Sequence, residues 1–127
     1  MTISKNNKPT ESEIEILRVL WDKGQASVRE VHEVLSAHKD AGYTTTLKLM
    51  QIMFEKGLVT RDDSSKTHIY KPNVSKEITQ KQFMGKMINS LFSGSSTQLV
   101  MQALGNHQHS KEELEEIQQL LNNLKKQ

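Results

Sequence analysis

The sequence predicts a mainly α, α+β chain: a winged helix-turn-helix DNA-binding domain followed by a helical dimerisation domain. Three observations predict it. The stretch from Gly42 to Lys71 reads as a helix, a short break and a polar-tipped β-hairpin, the order of the C-terminal half of a winged helix-turn-helix. Two helix openings of capping-box spacing, Thr10 with Glu13 and Ser27 with Glu30, precede it. From Ser75 onward the composition shifts to helix formers that carry apolar residues with no obvious core of their own. The expected boundaries are a flexible arm over 1–9, the winged helix over 10–73 and the dimerisation domain over 74–127.

The polar arm ends at Pro9, and the first helix is expected from Thr10 to Gly24. Its core face is Ile14, Leu17 and Trp21, widened by Ile16 and Leu20. Gln25 to Ser27 has room for one small edge strand. Val28, Val31, Val34 and Leu35 give the second helix its apolar face, and His38 to Gly42 is the turn. The third helix is expected to open around Tyr43 to Thr45 and to stop at Gly57. At 100° per residue, Thr46, Leu49, Met50 and Met53 share one side, with Phe54 at its border, while Thr44, Lys48, Gln51 and Glu55 lie opposite. Leu58 to Asp62 and Thr67 to Lys71 are the wing strands around the turn-rich tip Asp63-Ser64-Ser65-Lys66, and Pro72 ends the hairpin.

Beyond the wing, Ile78, Met84, Met87, Ile88, Leu91 and Phe92 dominate one long helix, broken at Ser93-Gly94-Ser95-Ser96. A short helix from Thr97 to Leu104 should stop at Gly105. Ser110 with Glu113 opens the last helix, whose Leu114, Ile117, Leu121 and Leu124 keep the spacing of a packing seam. That much apolar surface on short helices implies a partner chain. The expected anchors of a homodimer are Phe83, Met87, Leu91, Phe92, Leu99, Leu121 and Leu124.

Composition narrows the function. A formal charge of +2 makes any nucleic-acid surface a local patch. Between Lys39 and Lys71 six basic residues face four acids, a balance equal to the charge of the whole chain. With no cysteine there is no disulfide, zinc ribbon or thiolate metal sensor. No apolar run approaches a membrane span and the polar start lacks a signal-peptide core, so a cytoplasmic protein without membrane contact is expected. No Gly-rich phosphate loop, nucleophile elbow or catalytic carboxylate pair is present, and no enzymatic activity, cofactor or metal is expected.

The candidate DNA-binding residues are Tyr43, Thr44, Thr45, Leu47, Lys48 and Gln51 on the third helix, with Arg61 and Lys66 on the wing. Lys48 suits a guanine edge or a phosphate, and the threonine methyls or Leu47 suit thymine methyl groups. Each has a plainer reading. Thr44 and Thr45 are also ordinary helix-start residues; Arg61 and Lys66 are also charges that keep an edge strand from aggregating; Tyr43 serves equally as phosphate donor or core staple. His107 and His109 read as surface histidines, since two ligands without nearby carboxylates or cysteines fall short of a metal set. The methionines Met50, Met53, Met84, Met87 and Met101 read as core or interface filler. A winged helix that binds protein instead of DNA is the alternative from another class.

The runs ESEIEILRVLWDKG, Ser27-Val28-Arg29-Glu30-Val31, Tyr43-Thr44-Thr45, Phe54-Glu55-Lys56-Gly57-Leu58-Val59 and His68-Ile69-Tyr70-Lys71-Pro72 together resemble the penicillinase-repressor family of bacterial transcription repressors, the BlaI/MecI/CopY type. The resemblance spans residues 10 to 104. It implies a homodimeric repressor with an N-terminal winged helix and a C-terminal helical dimerisation domain, bound to a palindromic promoter site. It also implies a regulatory antirepressor peptidase as a possible partner. Penicillin-responsive relatives are cut at an Asn-Phe pair, where this chain has Gln102-Ala103, so the resemblance does not carry that bond over. Copper-responsive relatives use a cysteine-rich tail, and this chain has no cysteine. Relatives often carry arginines late in the third helix, where Gln51 and Ile52 stand here.

Overall fold

The computed structural model describes residues 8–127. Most of the expected N-terminal arm, residues 1–7, lies outside them. The element order is α1 (Glu11–Lys23), α2 (Val28–Ser36), α3 (Tyr43–Lys56), β1 (Val59–Asp62), β2 (Ile69–Pro72), α4 (Lys76–Leu91), α5 (Ser96–Asn106) and α6 (Lys111–Lys125). Two compact units divide within α4, the first reaching Lys81 and the second running from Gln82 to Gln127.

The first unit is built on caps and a small core. Both predicted capping boxes close: Glu13 N–H donates to Thr10 Oγ1 at 3.2 Å and Thr10 N–H to Glu13 Oε1 at 2.8 Å, and Ser27 and Glu30 repeat the exchange at 3.2 and 2.9 Å. The Ser27 amide and hydroxyl bonded to the Glu30 carboxylate hold its pKa below the usual glutamate value. Ile16, Leu17 and Leu20 are fully buried and form the centre of α1, while Ile14 and Trp21 sit at the margin. Val31, Met50, Met53 and Leu58 join them from α2, α3 and the entry to the wing. Each such side chain contributes about 1.5–3 kcal/mol by leaving water, so this cluster holds the three helices at fixed angles.

α3 ends where Gly57 takes φ +84°, a left-handed turn that a Cβ would strain, and its N–H reaches back to Met53 and Phe54. The chain then enters the hairpin, pairing Val59 with Pro72, Thr60 with Lys71, Arg61 with Tyr70 and Asp62 with Ile69. The second strand therefore runs through Pro72, one residue past the predicted end; Pro72 sits at the terminal pair, where its missing N–H interrupts no further ladder. The exit is tied down by Asn73 N–H to Leu58 O at 2.8 Å, Asn73 Nδ2 to Gly57 O at 2.9 Å and Trp21 Nε1 to Val74 O at 3.0 Å.

Two further expectations change. Gln25 to Ser27 yields a single bridge, Ala26 paired with Tyr70 through bonds of 3.0 and 2.9 Å, because Ser27 is the N-cap of α2 and the chain turns helical at Val28. Gly105 does not stop α5, which continues to Asn106 and ends at extended His107. Glycine marks a helix end through positive φ, and Gly105 is not among the positive-φ glycines. Inside a last turn it costs only about 1 kcal/mol relative to alanine.

One ion pair bridges α1 and α3. Lys56 Nζ donates to Glu13 Oε1 at 2.7 Å, the oxygen that also accepts the Thr10 amide; Glu13 is 2% exposed and Lys56 21%. The pair joins the first turn of α1 to the last turn of α3.

The second unit is all helix, and no residue from Gln82 on is buried. α6 opens with the predicted capping box, Glu113 N–H to Ser110 Oγ at 3.1 Å and Ser110 N–H to Glu113 Oε1 at 2.9 Å. Ser93 at φ +50° and Gly94 at φ +86° make the break after α4. Of the twelve large apolar side chains exposed among the described residues, ten lie from Ile78 onward. Leu91 is 74% exposed, Leu124 52%, Met87 46% and Leu121 42%, while Phe83, Phe92 and Leu99 are half-buried.

Candidate nucleic-acid interface

The outward surface of α3 follows from its burial pattern. With Thr46, Met50 and Met53 in the core, Thr44, Thr45, Lys48 and Gln51 are exposed along the first two and a half turns. Leu47 is half-buried and packs against the core cluster. The helix opens on Gly42, which has no side chain to cap it, and Thr46 Oγ1 donates back to Gly42 O at 3.3 Å. The first-turn amides of α3 thus keep no side-chain acceptor, unlike those of α1, α2 and α6. Such amides are suited to an anionic oxygen.

Tyr43 is 44% exposed, and its ring meets His32 of α2 edge to face at 5.6 Å. Tyr43 is therefore not a staple into the core cluster: its ring is braced on α2 and lines an open cleft. That cleft, about 340 Å³, lies between the start of α2, the stripe Tyr43, Leu47 and Gln51 of α3, and the wing residues Lys66, Thr67 and His68.

The wing is shaped by its own bonds. Ser64 N–H donates to Asp62 Oδ1 at 2.9 Å, which holds the Asp62 carboxyl below its usual pKa, and Ser65 Oγ donates to Thr67 O at 2.9 Å. Lys66 stands exposed within the turn that the second bond closes. Arg61 is placed differently. Strand alternation puts it on the face of buried Val59 and opposite buried Tyr70, so it turns inward. Its guanidinium stacks 4.1 Å over the Phe54 ring of α3, and its Nε lies 2.7 Å from Asp63 Oδ1. The Tyr70 side chain, then Asp63, raises its pKa further, so the cation is locked. His68 Nδ1 lies 3.5 Å from the same Asp63 oxygen. Among the described residues no ion pair engages Lys48 or Lys66.

The structure therefore brings Tyr43, Leu47, Gln51 and Lys66 to one cleft, leaves Thr44, Thr45 and Lys48 on the open face of α3, and ties Arg61 to the wing base. Of the cleft-lining residues outside the expected DNA-binding set, two carry side-chain nitrogens: Arg29, in the first turn of α2, and His68. Arg29 did carry a signal, since a cation in a helix's first turn opposes the backbone dipole. His68 carried none beyond its place in a predicted wing strand, and it lies one residue before the observed one.

A family model described as penicillinase repressor matches residues 9–123. The chain is 23% identical to the penicillinase repressor of Staphylococcus aureus over 115 residues, covering 91% of each chain. It is 24% identical to the methicillin resistance regulatory protein MecI of S. aureus strain N315, covering 94% of this chain and 97% of that one. Among solved structures it resembles the DNA-binding domain of the repressor BlaI, determined in solution, with a TM-score of 0.51 and 20% identity over 57% of this chain and 89% of that one. That likeness is one of fold, and the fold is a winged helix. With a family model covering nearly its full length, the chain belongs to the penicillinase repressor family, a family of transcriptional repressors and not of enzymes.

Proposed function

We propose that the protein represses transcription in the cytoplasm by binding a palindromic double-stranded operator as a homodimer. The observation that carries this reading is one surface holding the uncapped start of α3, its exposed Thr44, Thr45 and Lys48, and the exposed wing-tip Lys66. In this reading α3 enters the major groove with Tyr43, Thr44, Thr45, Leu47, Lys48 and Gln51, and the wing meets phosphates. Lys66 is a wing-tip cation with no ion pair among the described residues, while Arg61 acts mainly by bracing the wing on Phe54.

The dimer is supported by the second unit. Ordering a residue's backbone costs about 1–2 kcal/mol, and helices without one buried residue cannot offset that alone. A second copy covering Met87, Leu91, Leu121 and Leu124, with Phe83, Phe92 and Leu99 at the margin, supplies the missing burial. An antirepressor peptidase is the regulatory partner in keeping with the family resemblance. Gln102 and Ala103 are exposed on α5, where a methyl group replaces the phenyl ring of the penicillin-responsive relatives.

Base-reading and phosphate roles separate by mutation. Lys48→Ala should cost on the order of 1–3 kcal/mol and relax preference at one base position, while Lys66→Ala should weaken all sequences alike and reduce the salt slope by about one. Selection of bound sequences from a random duplex pool, run with each variant, measures both. Unchanged affinity and unchanged preference for Lys48→Ala would show that the open face of α3 does not read DNA.

A further inference from the structure

We infer that the cleft between α2, α3 and the wing seats the sugar–phosphate strand dividing the major groove from the next minor groove, with Arg29, Lys66 and His68 as its phosphate ligands. The inference rests on the DNA-binding reading above. A helix in the major groove and a wing on the neighbouring phosphates straddle one backbone ridge, and that ridge must pass through the space between them. Here the space is a cleft of about 340 Å³.

Its charge fits a polyanion. Arg29 and Lys66 alone equal the formal charge of the whole chain, His68 adds a third nitrogen donor, and no aspartate or glutamate lines the cleft. Asp63, whose carboxylate lies 3.5 Å from His68 Nδ1, is already held by Arg61 at 2.7 Å. Arg29 is the telling residue. It is exposed, makes no ion pair among the described residues, and sits in the first turn of α2, where a cation opposes the helix field. Its neighbour Glu30 is committed to the Ser27 amide at 2.9 Å. Within the fold the cation has only the i+4 spacing to Glu33, worth at most about 0.5 kcal/mol, whereas a phosphate across the cleft gives it a full counter-charge.

The cleft also divides the labour of α3. Tyr43, Leu47 and Gln51, four residues apart, line it and so face backbone. Thr44, Thr45 and Lys48 lie outside it and face base edges. A clamp of this kind is sequence-independent, and each neutralised phosphate adds about one to the slope of log affinity against log salt.

The test is a salt titration of the full-length protein on a fluorescently labelled random-sequence duplex, read by anisotropy. Arg29→Ala and Lys66→Ala should each lower the slope by about one, Arg29→Lys should restore it, and Arg18→Ala, an equal charge loss on exposed α1 outside the cleft, should leave it unchanged. Thermal melts followed by circular dichroism check that each variant folds. A wild-type slope in a folded Arg29→Ala protein, or an equal loss in Arg18→Ala, overturns the clamp while leaving DNA binding intact. A wild-type protein that binds no duplex at any salt overturns the DNA-binding reading and the clamp with it.

Discussion

Lys56→Met should destabilise the winged-helix unit by about 3–5 kcal/mol, and Glu13→Gln by distinctly less, about 1–2 kcal/mol. The asymmetry comes from exposure. Glu13 is 2% exposed and cannot reach water when its partner is removed, so Lys56→Met strands a buried carboxylate. Lys56 is 21% exposed and can swing its ammonium outward when the carboxylate is gone. Glutamine also keeps an oxygen for the Thr10 amide, which now donates to Glu13 at 2.8 Å. Urea unfolding with unchanged m-values would read the two losses directly. Equal losses, or a larger one for Glu13→Gln, would mean that the pair is solvated in solution. Because the bond links the ends of α1 and α3, Lys56→Met should also weaken DNA binding at temperatures where the unit stays folded.

Leu91→Asp should convert the proposed dimer to monomers or to insoluble protein. Leu91 is 74% exposed in the single chain, and a substitution at a surface position that meets nothing changes stability by only about 0.5 kcal/mol either way. In an apolar interface the same change buries an unpaired charge, which is strongly unfavourable. The two situations thus give opposite outcomes for one substitution. Sedimentation velocity of the wild type and the variant distinguishes them. A soluble Leu91→Asp protein that sediments as the wild-type dimer would remove Leu91 from the interface.

Local signals made the fold legible. Thr10 with Glu13, Ser27 with Glu30 and Ser110 with Glu113 each closed as capping boxes, and Gly24 and Gly57 each ended a helix at positive φ. Such features depend on residues three or four apart, so sequence displays them. Gly105 misled because glycine permits a helix end without enforcing one. The inward turn of Arg61 was also within reach: Val59 two residues earlier had to face the core, and strand alternation carries Arg61 to the same side. What sequence could not display was the cleft. Arg29 and His68 are thirty-nine positions apart and meet only because the Ala26–Tyr70 bridge draws the base of the wing to the start of α2.

The central claim is that two copies of this winged helix together hold a palindromic operator. The most direct measurement is a footprint of the purified protein on the DNA upstream of its own gene, paired with the mass of the complex in solution. Two protected half-sites about one helical turn apart or a multiple of it, related by a two-fold axis and occupied by one dimer, are expected. Protection of a single half-site by a monomer at full affinity, or no protection by a folded dimer, would contradict it and favour a winged helix that binds protein.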